Sequence, residues 1–291
     1  MKPGKEGRPV KRKKSYKNGM LLIPFFLLAA MFLIVPLAMM IGSSFTSETD
    51  GNFTWNNYIE VLMNPFYTQA FKNSVLISVL SSIAGLAAAV VVSYFMTNLP
   101  EKIQEKITVF INLSANFAGV PLAFGFIILL GNSGVFRILF QSLHMPVLDH
   151  FNLYSWQGLV LAYLYFQIPL GILFIYPSLR KIRKEWKESA YLLGASDLKY
   201  WRLVGLPNIM PSIAGTFVIL FANSMGTYET AYALTGSNFN LITVRIAALI
   251  SGDIYARPII GSTLAVLFAA VMIAILALSQ IMLKRIRRDL V

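Results

Sequence analysis

The chain has 291 residues, 56% of them hydrophobic and 13% charged, about half the charged fraction of an ordinary globular domain, so lipid rather than water is the solvent for most of it. Its 25 Lys and Arg outnumber its 13 Asp and Glu, a balance that would suit nucleic acid if the charges were clustered on one surface. There is no cysteine, which excludes disulfides, thiolate metal sites and cysteine nucleophiles.

Residues 1–19 form a basic tail, and its KRKK run at 11–14 reads as an anchor facing lipid headgroups. The first apolar run, 20–41, has 22 uncharged residues and a helical length of about 33 Å, enough to span a bilayer and longer than the apolar region of a signal peptide. TWNNYIEVLMNPF at 54–66 predicts a short interfacial helix. A second span follows at 73–98, where Ala84 and Ala88 have the small-x3-small spacing that lets helix backbones approach closely, within the chain or between subunits. The third, 107–130, carries Asn112, Ser114 and Asn116 and ends in the polar turn Gly131–Gly134. The fourth, 155–178, has Gln167 midway. The fifth, 209–232, contains Asn223, Ser224, Tyr228, Glu229 and Thr230 in its second half, and the sixth is 259–283. DIYARP at 253–258 closes the preceding loop before its proline, and 284–291 is a short basic tail. The expected fold is all-α, a polytopic membrane protein with six transmembrane helices in a single domain.

If the six spans alternate from a cytoplasmic amino terminus, 21 of the 25 basic residues fall inside and only Lys72, Arg137, Arg245 and Arg257 fall outside. That asymmetry predicts both termini in the cytoplasm. It also accounts for the basic excess by topology and anionic lipid, which removes the case for nucleic acid.

Chemistry is sparse. No phosphate-binding GxxxxGK[ST] loop is present, and His144 and His150 lack the companions that a zinc site needs, so no metal or cofactor is expected in this chain. Gly131-Asn132-Ser133-Gly134 spells the G-x-S-G of some intramembrane proteases, but no span carries a histidine to activate Ser133. Polar residues at membrane depth are the remaining lead, because they are costly there and tend to line internal paths. Asn112, Asn116, Gln167, Asn223, Ser224, Tyr228, Glu229 and Thr230 are accordingly candidates for a translocation path. Glu229, the one acidic residue within a span, would equally fit a solvated position at the outer interface.

Between the fourth and fifth spans lies EWKESAYLLGASDLKYWRLVGLPNIMPSI. Its spacing predicts one helix over 186–193, a left-handed stop at Gly194, an N-cap at Ser196 and a second short helix over 197–204 that Pro207 ends. Trp186, Tyr191, Tyr200 and Trp201 are oversized for a connector. From composition alone they suit either a protein-docking surface or an interfacial aromatic belt.

Glu188, Ser189, Ala190, Gly194, Val204, Leu206 and Pro207 closely resemble the EAA signature E-A-A-x3-G-x9-I-x-L-P of binding-protein-dependent ABC importer permeases, with Ser189 for the first alanine and Val204 for isoleucine. The match covers about 20–283 in span count and is most similar to the spermidine/putrescine, phosphonate, thiamine and ferric-iron branch. It implies the type I ABC importer permease fold in a bacterial inner membrane. The implied partners are two ATPase subunits, a second permease subunit and an extracytoplasmic substrate-binding protein, with ATP and magnesium on the ATPase. By the same resemblance Glu188, Tyr191 and Leu192 contact the ATPase, Gly194 permits the turn, and Ser189, Ala190, Ala195, Ser196, Leu206 and Pro207 complete the coupling loop. A polyamine cargo fits Glu229, with phosphonate or another small polar solute as the alternative. A secondary transporter uncoupled from ATP is the competing class, favoured by inverted repeats, which the sequence does not display.

Overall fold

The computed structural model describes residues 23–145, 151–252 and 256–288. The basic tail with its KRKK run, His150, the Asp253–Tyr255 part of the last outer loop, the side chains of the basic run after 283 and the carboxyl-terminal tail lie outside the described residues or side chains.

Among the described residues, six helical segments are long and apolar enough to cross a membrane. The first, α1 (Pro24–Ser44), includes a π turn at Ala30–Ile34 and exposes almost its entire surface. Its apolar side chains can face lipid without cost, because burial against protein gains little where the solvent is hydrocarbon. The predicted interfacial helix is α2 (Asn56–Met63). Its Asn57 donates to the carbonyls of Ser44 and Thr46 and fixes the exit of α1.

The second span, α3 (Pro65–Thr97), is 33 residues long, starts earlier than its apolar run, and is capped by the Asn64 side chain accepting from Phe66 N. Together with α7 (Trp156–Arg180) and the fifth span, α9 (Asp197–Gly226), it forms the centre of the molecule, and α7 is the most buried helix. Close approach is achieved by small residues one position from the expected pair. Ala84 is exposed and Ala88 is half-buried, whereas Gly85 and Ala89 face α7. A Cβ on Gly171 would stand 2.7 Å from the Ala89 Cβ, so the two backbones meet where neither can carry bulk.

Two of the sequence-predicted spans are interrupted. The continuous helix expected over 107–130 is instead α4 (Glu101–Ala115) and α5 (Val120–Leu130), separated by a break at Asn116–Gly119. The 209–232 span likewise breaks after Gly226, and a new helix, α10 (Glu229–Thr235), begins at Glu229. Beyond the turn Gly131–Gly134 the chain forms α6 (Val135–Ser142), and α11 (Ile242–Ser251) precedes the last span, α12 (Pro258–Arg288).

Arg257 at the start of α12 pairs with Glu48 at 2.7 Å and Glu60 at 2.5 Å. These contacts join the first and last spans at the loop face opposite the coupling segment, and the Glu60 and Glu48 contacts raise the Arg257 pKa above its ordinary value.

Candidate coupling surface and membrane cavity

The segment between the fourth and fifth spans folds into α8 (Lys184–Leu192) followed by the first turns of α9. Between them Gly194 has φ +77°, and two backbone bonds define the stop: Gly194 N donates to Tyr191 O and Ala195 N to Ala190 O. This is the Schellman arrangement, which any residue with a Cβ would strain. Ser196 caps the next helix by accepting from Lys199 N. These features follow the sequence reading closely.

Pro207 behaves differently from expectation. The helix does not end there; a π turn at Trp201–Gly205 leads directly into Leu206–Gly226, with Pro207 in the first turn. A proline is tolerated at a helix start because it lacks a donor where none is needed, and the wider π turn makes such a start within a continuous rod. Gly205 is needed there because the Trp201 ring occupies the space of a Cβ.

What the fold leaves uncovered is informative. Leu192 is 90% exposed, Leu193 88% and Leu198 80%, at the tip of the two-helix loop. Glu188 and Ser189 are exposed, and Glu188 makes no ion pair among the described residues; one turn on from Glu188 stands Leu192. Lys187 pairs with Asp197 at 3.0 Å, and the Tyr191 hydroxyl donates to the same carboxylate. The Tyr191 and Asp197 contacts hold the Lys187 ammonium above its ordinary pKa. Ala190, Ala195 and Pro207 are half-buried and Leu206 is 41% exposed, so the segment presents a firm two-helix platform with an apolar tip.

The polar candidates separate into two groups. Asn116, Asn223, Tyr228, Glu229 and Thr230 line one cavity of about 680 Å³ at the two helix breaks, with Phe166, Leu170 and Gly226 in its wall. Asn112 stands one turn from Asn116 on the same helix, and each amide bonds back to a carbonyl of its own helix. Gln167 and Ser224 lie elsewhere. Gln167 is fully buried in the α3–α7–α9 centre, where its amide donates to Ser81 Oγ at 3.1 Å and Ser81 in turn bonds Ser224. Such interhelical bonds contribute about 0.6 kcal/mol on average in a membrane.

The breaks themselves are clasped together. Gly119 N donates to Thr230 Oγ1 at 2.9 Å, and a Cβ on Gly119 (φ +76°) would stand 2.6 Å from Glu229 Oε2. Thr227 O, freed where α9 ends, accepts from the hydroxyls of Tyr163 and Thr243, as backbone at membrane depth requires. Gly119 was not among the sequence candidates. Its signal is local: a glycine followed by Val120-Pro121 marks a helix start inside an apolar run.

A helical membrane subunit with six spans, two broken helices around a polar cavity and a protruding two-helix loop fits a transporter component. The match to the family of binding-protein-dependent transport system inner membrane components spans residues 81–290, and the chain belongs to that family. The spermidine/putrescine transport system permease protein PotB of Salmonella typhimurium is 23% identical over 73% of this chain and 75% of its own length. A probable ABC transporter permease protein of Sinorhizobium fredii is 27% identical over 56% of this chain, which spans only 28% of that relative's length. Among solved structures, a bacterial ABC transporter involved in the import of the acidic polysaccharide alginate superposes with a TM-score of 0.74 at 18% identity, covering 94% of this chain and 96% of that one. The fold is therefore that of ABC importer permeases.

Proposed function

We propose that this chain is the membrane-spanning subunit of an ATP-driven importer that takes its motion from separate ATPase subunits through the 184–207 loop. The carrying observation is that loop: a rigid Schellman turn holds Leu192, Leu193 and Leu198 almost fully exposed beside Glu188. Apolar side chains left in water on a rigid platform are suited to a groove on another protein. In this reading Glu188 makes a charge contact with the ATPase, Tyr191 and Leu192 fill an apolar cleft, and ATP with its magnesium is bound by the partner.

The loop and both termini face the cytoplasm, as the basic asymmetry supports. The cavity is completed by a second permease subunit, since Asn112, Asn116, Asn223 and Glu229 are exposed in the single chain at membrane depth, where bare polar surface is costly. Substrate arrives from an extracytoplasmic binding protein. Its chemistry follows from the cavity wall, where Glu229 is the one charged lining residue. A small cation such as a polyamine suits it, as in the transport system that names the Salmonella relative; a phosphonate would meet a like charge.

The test is recovery of ATPase subunits with the detergent-solubilised chain, together with uptake in cells. Glu188→Lys is expected to lower both by about tenfold or more, the cost of reversing a charge contact in an interface. Unchanged uptake in that variant counts against the loop assignment. No ATPase recovered with the wild-type chain, and transport that survives ATP depletion, would instead identify a secondary transporter.

A further inference from the structure

Beside the coupling loop two cavities of opposite character abut. One, about 470 Å³, lies where the end of α3 and the start of α4 meet the end of α7 and the start of α8, and its wall includes Arg180, Arg183, Lys184 and Lys187. Arg180 is paired with Glu101 and Lys187 with Asp197, whereas Arg183 and Lys184 make no ion pair among the described residues. Tyr200 also belongs to this wall. Tyr200 is 2% exposed, and its hydroxyl has no hydrogen-bond partner among the described residues.

The other cavity, about 410 Å³, is a groove between α3 and α9 lined by Val90, Val91, Phe95, Leu206 and Ile209, without a charged residue. The two share Tyr94, Leu179 and Trp201 as a common wall. Trp201 and Tyr94 meet edge to face at 5.4 Å, the amphipathic ring pair typical of the headgroup level of a bilayer. A basic chamber beside an apolar groove, with an aromatic pair between them, suits one molecule: an anionic head on an acyl chain.

We propose that these neighbouring cavities bind an anionic phospholipid, its phosphate held by Arg183 and Lys184 and one acyl chain lying in the groove along Val91 and Ile209. The lipid then sits between the membrane body and α8 and seats the coupling loop on the bilayer. The cytoplasmic orientation proposed above decides only which leaflet supplies it, and the binding experiment below does not depend on the ATPase.

The full-length chain, with whatever subunits remain bound, is reconstituted in nanodiscs of phosphatidylcholine with or without phosphatidylglycerol, and retained lipid is counted by native mass spectrometry. Wild type should keep phosphatidylglycerol in preference to phosphatidylcholine. R183Q with K184Q should reduce that preference on the order of tenfold, the effect expected for two basic residues at a membrane surface. Val91→Trp leaves every charge in place and fills the groove; because Val91 is 54% exposed, the core is spared, and retention should fall in that variant too. K102Q with K106Q, on the same face but outside the chamber, should leave the preference unchanged. Equal loss in that control pair would mean diffuse surface attraction and overturn the site. So would no preference in wild type, unchanged retention in both chamber and groove variants, or displacement of the lipid by inorganic phosphate alone, which would identify a soluble anion instead.

Discussion

The centre of α3, α7 and α9 and the loop at 184–207 solve opposite problems. In the centre, small residues let backbones touch, the Gln167 amide donates to Ser81 and Ser81 bonds Ser224 while Gln167 Oε1 has no partner among the described residues, and large side chains such as Tyr163, Ile175 and Leu220 are sealed from their surroundings. In the loop, local backbone bonds complete the conformation and the large apolar side chains are left outside. The centre is finished within one chain, whereas the loop is shaped by its own chain yet lacks its cover. Stability and the coupling proposed for the loop should therefore be separable by substitution.

The strongest test of that separation is Gly171→Leu. With the Ala89 Cβ already 2.7 Å from where a Cβ would begin, the side chain has nowhere to go, and overpacking should cost about 3 kcal/mol. A fall of roughly a hundredfold in the folded-to-unfolded ratio, read from a denaturant titration, is expected; an unchanged ratio would mean the α3–α7 contact is looser than described. Leu192→Asp with Leu193→Asp should do the reverse. Thermal midpoint is expected to stay within measurement error, since neither side chain is buried, while ATPase retention drops on the order of a hundredfold if both leucines enter a cleft. A lowered midpoint would show that the loop is part of the core after all.

Gly194→Ala is a finer probe. The space around Gly194 is open, so the penalty is conformational alone, about 1–2 kcal/mol for the left-handed turn, and should appear as weaker ATPase retention with the membrane core intact. Smallest of all, Glu229→Gln keeps the size but removes the charge; cation uptake should fall about fivefold, the scale of one charge contact across water in an open cavity. Equal uptake in that variant would leave the cavity with no electrostatic part in cargo choice.

Much of this was legible from sequence for physical reasons. Uninterrupted apolar runs reveal spans because nothing else tolerates lipid, and Gly194, Ser196 and the EAA spacing act through nearest neighbours, so the loop turn was recovered almost residue by residue. The breaks at Asn116–Gly119 and Gly226–Glu229 were not, because average hydropathy is blind to backbone direction: Asn-Phe-Ala-Gly is apolar enough to pass as helix. Pro207 was misplaced by a rule that treats proline as a stop, whereas a π turn makes it a beginning. Gln167 shows a third limit, since a polar residue mid-span has a depth in the sequence but no face. Only packing places it in the α3–α7–α9 centre rather than the cavity.

The Gly119–Thr230 clasp has a mechanical consequence. Both interrupted helices are fastened to each other at their interruptions, and α5 and α10 pack along one another beyond them. Two separate weak points would let each helix bend alone; joined, they form a single hinge pin, and the outer pair must swing as one leaf. If the ATPase-driven motion proposed above reaches the rods α4 and α9, a residue as small as glycine at 119 is where it would pass to that leaf.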